Sequence, residues 1–140
     1  MKVIKLVFPV LLFLFSAIGV YAQDEKGHNE VFKIVENMPK YPGGNEALKN
    51  DIVQAIKYPE EAKKNNISGK VFVSFVVNKE GEVENPKIER GVNPLLDKEA
   101  LRVIENLKTW SPGTQRGVKV KVMFTVPINF ALDSNSGEKS

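Results

Sequence analysis

The sequence predicts a two-layer α+β domain in which two main helices lie on one face of a small antiparallel sheet. Apolar residues recur at helical spacing over residues 48–56 and 96–107, and they alternate with a period of two over residues 71–77 and 118–130. These segments follow one another as extended–α–β–β–α–β, an order that places helices on one side of an antiparallel sheet. The chain has 140 residues, which is enough for one small domain.

The composition excludes several classes of protein. The chain has no cysteine, which excludes a disulfide framework, a thiolate zinc site and a cysteine nucleophile. Its one histidine, His28, argues against a multi-histidine metal site and a Ser-His-Asp hydrolase. Two of the 20 basic residues lie in residues 1–22, which contain no acidic residue. The remainder of the chain therefore has 18 basic and 17 acidic side chains. That balance is no footprint for nucleic acid, and we expect a binding module without enzymatic activity, cofactor or metal.

Residues 1–22 have the three parts of a secretory signal peptide. Met1–Lys5 carries two lysines, Leu6–Ser16 is an apolar run, and Val20-Tyr21-Ala22 places small residues before a cleavage site. We therefore expect the chain to be exported and its mature form to begin at Gln23.

The alternative for the same residues is an uncleaved membrane anchor. Leu6–Ala22 has 17 residues, the lower end of the range that spans about 30 Å of hydrocarbon. A linker of residues 23–30 follows, which reaches at most about 29 Å at ~3.6 Å per residue. We expect the domain to cover residues 31–130 and a disordered polar tail to cover residues 131–140.

The first half of the domain alternates between extended and helical segments. Val31–Val35 is apolar enough for a strand, and two prolines and two glycines in Met38–Gly44 break regular structure. Asn45 is a candidate cap for the first main helix. Tyr58-Pro59 ends that helix because proline lacks an N–H donor. Pro59 also suits the first turn of a short helix over Pro59–Asn65.

A hairpin follows. The strand over residues 71–77 turns at Asn78-Lys79-Glu80-Gly81, where glycine permits a positive φ, and returns as Val83–Arg90. Asn85-Pro86 interrupts the second strand, so we expect that strand at a sheet edge or with a bulge. The second main helix follows, with Asn93 or Asp97 as its cap, and Trp110 is predicted to anchor the core.

The last strand covers residues 118–130 and is predicted to lie at the other edge of the sheet. A right-handed crossover places it beside the strand over residues 71–77. If the strands over residues 71–77, 83–90 and 118–130 are numbered 1, 2 and 3, the predicted sheet order is 2–1–3. Seven apolar residues are predicted to face inward: Val118, Val120, Val122, Phe124, Val126, Ile128 and Phe130. Pro127 has no N–H, so that side of the strand cannot be fully paired. Such an edge either is guarded by Lys119 and Lys121 or accepts a partner strand, and the residues alone favour neither.

An ordered set of motifs resembles the C-terminal domain of TonB proteins, in the form common in Bacteroidetes. The resemblance covers residues 31–130. It includes Met38-Pro-Lys-Tyr-Pro-Gly-Gly44, Tyr58-Pro59, the alternating strand from Gly69, Gly81, Arg90-Gly91, Leu95-Leu96-Asp97, Trp110-Ser-Pro-Gly113, Gln115-Arg116-Gly117 and Val126-Pro127-Ile128-Asn129-Phe130.

The resemblance implies a periplasmic protein-binding module that pairs its last strand with the N-terminal box peptide of outer-membrane TonB-dependent transporters, in energy-coupled nutrient transport. The partner-binding residues that it implies are Tyr58, Pro59, Gly117, Val118, Lys119, Val120, Lys121, Val122, Met123, Phe124, Thr125 and Val126. Full-length members of the family have a Pro-rich spacer, which this chain lacks. Two alternatives remain: a minimal transducer anchored in the inner membrane and contacting the proton-channel complex there, or a homodimer that pairs through the same edge.

Overall fold

The computed structural model describes residues 30–132. The signal peptide or anchor, the cleavage before Gln23, nearly all of the linker, and the tail from residue 133 onward lie outside the described residues. The helices are α1 (Gly44–Ala55), α2 (Glu60–Lys64) and α3 (Pro94–Glu105). The strands are β1 (Val31–Phe32), β2 (Gly69–Val77), β3 (Val83–Arg90), β4 (Gly113–Gln115) and β5 (Val118–Phe130).

The predicted α+β class and the order of the three long strands are confirmed. The sheet has the order β1–β5–β2–β3, with β2 between β3 and β5 and antiparallel to both. The short strand β4 was not predicted, and the strand predicted over Val31–Val35 is reduced to the two residues of β1. The two-residue β1 pairs parallel with β5, and β4 forms a tight hairpin with the start of β5, so the sheet is mixed.

The helices pack against the inward face of β2. The buried residues of the core are Tyr41, Leu48, Ile52, Ala62, Val71, Val73, Phe75, Val77, Leu96, Ala100, Val103, Ile104, Trp110, Ile128 and Phe130. Trp110 is only 5% exposed, which confirms it as a core residue. Within residues 30–132, no helix is long and apolar enough to cross a membrane.

The prediction of seven inward residues on β5 is wrong at its first position. Val118 is 62% exposed, whereas Val122, Ile128 and Phe130 are buried. The ladder between β2 and β5 begins at the pair Val77–Val122, so β5 extends past the end of β2 at its own start. Alternation correctly gives the side on which Val118 lies, but nothing of the core reaches that far along the strand.

The helix starts are only partly as predicted. The side chain of Asn93 accepts a hydrogen bond from Leu95 N (2.9 Å) and caps α3, and Pro94 takes the first helical position. Asn45 is not a cap, because α1 already begins at Gly44, after Gly43 in a left-handed conformation (φ 84°) with no side-chain cap.

The edge strand β3 is irregular, as its proline predicts. Its pairing with β2 shifts register twice, and Asn85 has a positive φ (49°) just before Pro86. A bulge and a proline hinder the addition of another strand to this edge of the sheet.

Candidate partner-docking edge

The strand β5 has a different neighbour on each side. On one side it pairs with β4 over Val118–Val120 and then with β2 from Val122 to Phe130. On the other side β1 pairs only with Lys121 and Val122. Because Val122 turns its own main-chain groups to β2, the parallel pair Phe32–Val122 uses the C=O of Lys121 and the N–H of Met123. Within residues 30–132, no strand pairs with the outer side of β5 beyond that N–H. We call residues 123–130 the free edge.

The proline in the free edge shows which main-chain groups point outward. Pro127 lies opposite Phe72 in the ladder of β2 and β5, and this ladder has no register shift. Because Pro127 has no N–H, this pair belongs to the non-hydrogen-bonded type, whose main-chain groups point away from the partner strand. The two types of pair alternate, so Met123, Thr125 and Asn129 present both N–H and C=O outward, and Pro127 presents only its C=O.

A groove of about 550 Å³ runs between the free edge and α1. It is largely apolar, and the residues that give it this character are Leu48, Ile52, Val53, Ile56, Trp110, Phe124 and Val126. Val53 is 70% exposed and adds apolar surface to the α1 side of this groove. The groove therefore offers an apolar surface beside a row of outward main-chain groups.

The polar rim of the groove carries no dominant charge. Asn45 and Asn129 lie at the rim, and Glu46 forms an exposed ion pair with Lys49 (3.6 Å). An exposed ion pair of this kind contributes little to stability or attraction. The groove therefore offers apolar surface and shape rather than charge.

Trp110 forms part of the groove lining and is held from several directions. Its main-chain N–H donates to Gly81 O (2.8 Å), and the next residue, Ser111, exchanges two main-chain hydrogen bonds with Lys40 (2.8 and 3.0 Å). Its ring packs against Phe124, with the ring centroids 5.4 Å apart, and edge-on against Tyr41 at 5.2 Å. Its Nε1 is buried and has no hydrogen-bond partner among the described residues.

A polar cluster joins α1 to the segment after α3. The hydroxyl of Tyr41 donates to Asp51 Oδ2 (2.6 Å), and Lys108 Nζ lies 3.2 Å from the same oxygen. These hydrogen bonds, chiefly that from Tyr41, hold the pKa of the Asp51 carboxyl below its ordinary value. Burial, together with the hydrogen bond to Asp51, raises the pKa of the Tyr41 phenol. The cluster fixes the position of α1, and with it one wall of the groove.

The window predicted for partner binding, residues 117–126, lies only partly at the free edge. Gly117 is in the turn between β4 and β5, and the main-chain groups of Val118 and Val120 face β4. Lys121 is engaged by β1 through its main chain and by Glu84 through its side chain (3.2 Å). Only Met123, Phe124, Thr125 and Val126 of that window belong to the free edge.

Tyr58 and Pro59 line neither the free edge nor its groove. The Tyr58 hydroxyl donates to Ile67 O, and its ring lies edge-on against Phe130 (5.8 Å). Pro59 lines a second groove, of about 510 Å³, against Leu95 and Arg102 of α3.

Sequence analysis missed the part of the site that comes from α1. Val53 lies outside the apolar stripe of that helix, and an apolar residue there was a signal for a second apolar contact. The outward main-chain groups of Asn129 could have been predicted from Pro127, because Asn129 lies two residues further along the strand and therefore faces the same side. Within residues 30–132, no group of three acidic or histidine side chains is placed to hold a metal.

Comparisons with known proteins bear on the family and the fold. A search of curated proteins found no match. The family described as the Gram-negative bacterial TonB protein C-terminal matches residues 54–132, more than half of the chain. Among solved structures, the Helicobacter pylori TonB C-terminal domain (residues 194–285 of that protein) is 26% identical with a TM-score of 0.50, covering 64% of this chain and 95% of that one.

A second structure from Helicobacter pylori, covering residues 179–285 of the same protein, is 24% identical with a TM-score of 0.50, over 67% of this chain and 89% of that one. At that identity it supports the fold alone. The chain belongs to the TonB C-terminal domain family, a non-enzymatic, envelope-associated family of Gram-negative bacteria with a role in transport through outer-membrane transporters.

Proposed function

We propose that this protein is an exported, periplasmic module that binds the N-terminal box peptide of outer-membrane TonB-dependent transporters by strand addition, in energy-coupled nutrient transport. The observation that carries the proposal is the row of outward main-chain groups at Met123, Thr125, Pro127 and Asn129 beside an apolar groove. An extended peptide is the ligand that such an edge accepts, because its own N–H and C=O groups complete the ladder.

The dimensions of the site set the length of the bound segment. Residues 123–129 extend over about 20 Å at ~3.4 Å per residue, so the added strand has roughly seven residues. Alternate side chains of that strand face the groove against α1, and the others face solvent. Affinity comes from main-chain hydrogen bonds, and the apolar residues that enter the groove fix the register.

The test is the substitution Thr125→Pro, with Thr125→Val as its matched control. Thr125→Pro removes one outward N–H but no bond to β2, and Pro127 shows that a proline fits this parity of the strand. An unsatisfied main-chain group costs about 1–3 kcal/mol, so we expect the affinity for a synthetic box peptide to fall roughly 5- to 150-fold. Thr125→Val keeps the N–H, and we expect it to bind like the wild type.

Fluorescence anisotropy with the labelled peptide and the full chain in mild detergent measures both affinities. Circular dichroism and thermal unfolding establish that both variants are folded. If Thr125→Pro is folded and binds the peptide as tightly as Thr125→Val does, strand addition at the free edge is wrong.

A further inference from the structure

The chain places its own strand β1 on the edge that we assign to the partner. Val31 pairs with Lys121 and Phe32 pairs with Val122, both on the side of β5 opposite β2. Met123, the first residue of the free edge, is next in sequence. In this position β1 pairs with two residues of β5, whereas an incoming peptide would pair with several.

Little holds β1 in place. It has two residues, Val31 is 39% exposed, and Ile34, just after it, is 85% exposed. Glu36 adds two exposed hydrogen bonds, from Glu36 N to Gln115 Oε1 (2.9 Å) and from Arg116 N to Glu36 Oε2 (3.3 Å). The chain is anchored only after Ile34, by buried Val35 and by two main-chain hydrogen bonds between Asn37 and Thr114 (3.1 and 2.9 Å), so β1 can leave β5 while the following segment stays in place. Segments with so few buried apolar contacts open at low free-energy cost.

Removing β1 would expose a better ladder than the free edge itself. Arg116 and Gly117 both have positive φ (51° and 75°), so the hairpin of β4 and β5 closes with a two-residue turn at the pair Gln115–Val118. The next pair, Thr114–Lys119, is then non-hydrogen-bonded, and the main-chain groups of Lys119 point to the β1 side.

With β1 absent, the outward residues are Lys119, Lys121, Met123 and Thr125, and each of them carries an N–H. This row is unbroken, whereas the missing N–H of Pro127 interrupts the row that begins at Met123. A peptide that forms main-chain bonds at every outward residue therefore gains more from residues 119–125 than from residues 123–129.

We propose that β1 is a displaceable cover of the docking site, and that the partner strand takes its place along residues 119–125. This inference rests on the proposed function and adds to it a competition within the chain. Conditions that hold β1 on β5 would weaken docking, and conditions that pull the preceding segment away would strengthen it.

The test locks β1 in place with a disulfide. The full chain has no cysteine, so the pair Val31→Cys and Lys121→Cys forms the only possible bridge. Adjacent strands are about 4.8 Å apart, which is within the range of Cα separations that a disulfide spans. The reduced form of the same variant controls for the loss of the Lys121 side chain.

A second bridge is the matched control for oxidation. Asn37→Cys with Thr114→Cys joins the segment after β1 to β4, where the two side chains are already hydrogen-bonded (3.0 Å), and leaves β1 and the outward groups of β5 untouched. We expect the oxidised Val31–Lys121 bridge to lower the affinity for the synthetic box peptide at least tenfold relative to its reduced form. We expect the control bridge to change nothing.

A substitution in β1 tests the converse and needs no oxidation. Phe32→Pro removes the N–H that faces the ladder with β5, so displacement of β1 becomes easier. The peptide then has one hydrogen bond fewer to break when it displaces β1. The net contribution of one such bond corresponds to roughly 2- to 13-fold tighter binding of the peptide.

The two proposals fail in different ways. If oxidised and reduced forms of the Val31–Lys121 variant bind the peptide equally, or if Phe32→Pro weakens binding, β1 is not a displaceable cover and the free edge alone is the site. If the wild type binds no box peptide, the proposed function is overturned and this inference with it.

Discussion

Gly81 lies directly against the carbonyl group of Trp110. A Cβ at Gly81 would come within 1.8 Å of Trp110 O, and Gly81 O accepts the N–H of Trp110 (2.8 Å). The turn between β2 and β3 is thus joined to the segment that follows α3 by a contact that only glycine permits. Since Trp110 lines the groove beside the free edge, a distant hairpin turn helps to position the site.

Gly81→Ala is expected to destabilise the protein strongly. The residue has a positive φ (83°), and the new methyl group would overlap main-chain atoms that cannot rotate away. We expect a loss of about 3 kcal/mol or more in the free energy of unfolding, measured by urea denaturation. Gly117→Ala is the control, because Gly117 also has a positive φ (75°) but a Cβ there meets nothing within 4 Å. Its cost should be about 1–2 kcal/mol, and equal losses at the two positions would contradict the packing argument.

Asp51 is expected to make stability depend on acid pH. The pKa of its carboxyl is lower in the folded protein than its ordinary value of 3.8, chiefly through the hydrogen bond from Tyr41. The unfolded chain therefore takes up the proton more readily, so this contribution is complete above pH 3.8 and is lost as the pH falls through the folded pKa.

The measurement compares the wild type with Asp51→Asn by urea denaturation from neutral pH downward. The difference in the free energy of unfolding should be largest near neutral pH and should shrink below pH 3.8. Tyr41→Phe removes the largest cause of the shift and should flatten part of the same pH dependence. A difference that stays constant down to the acid transition would show that Asp51 does not contribute through its charge.

Asn93→Ala is expected to destabilise the start of α3. The substitution leaves Leu95 N without its side-chain acceptor, which typically costs about 1 kcal/mol. Asn93→Asp keeps an acceptor oxygen near the positive end of the helix dipole, so its stability should stay close to that of the wild type. Chemical denaturation of both variants measures the free energy of unfolding. Equal decreases in the two variants would show that Asn93 does not stabilise α3 by capping.

Pro127→Ala is expected to promote self-association. The new N–H points outward, so the free edge then has an unbroken row of donors from Met123 to Asn129. If two copies pair antiparallel, each variant copy adds one bond. With net bonds of about 0.5 kcal/mol each, dimer affinity rises about fivefold or more. Analytical ultracentrifugation at several concentrations measures the change, and an unchanged dissociation constant would show that Pro127 does not guard this edge.

The sequence predicts those features of the fold whose cause is local or periodic. The strand over residues 71–77 alternates throughout, and Asn93 precedes Pro94 at a helix start, so both predictions are confirmed. The cap at Asn45 failed because glycines before it start the helix earlier, and nothing in the side chains distinguishes Gly44 as the first residue.

The bounds and partners of the two short strands could not be predicted, because two or three residues are too few to show a period. The strand predicted over Val31–Val35 keeps only its first two residues, and β4 was not predicted. Their existence depends on contacts such as Asn37 with Thr114, which are far apart in the chain. The proline in β5 did reveal an unpaired side of the strand. It could not reveal that β1 covers part of that side, or that α1 forms a groove along the rest.

The alternation along β5 separates two properties that usually constrain each other. Even-numbered residues direct their main-chain atoms to β2 or β4, and odd-numbered residues direct theirs to the opposite side, where β1 alone pairs with them among residues 30–132. In the proposed docking mode, a change at Thr125 alters affinity at little cost to folding, whereas a change at Phe124 affects the core first. In this docking mode, one set of alternate residues determines the fold and the other determines binding, so substitutions in the second set can change recognition while the fold is kept.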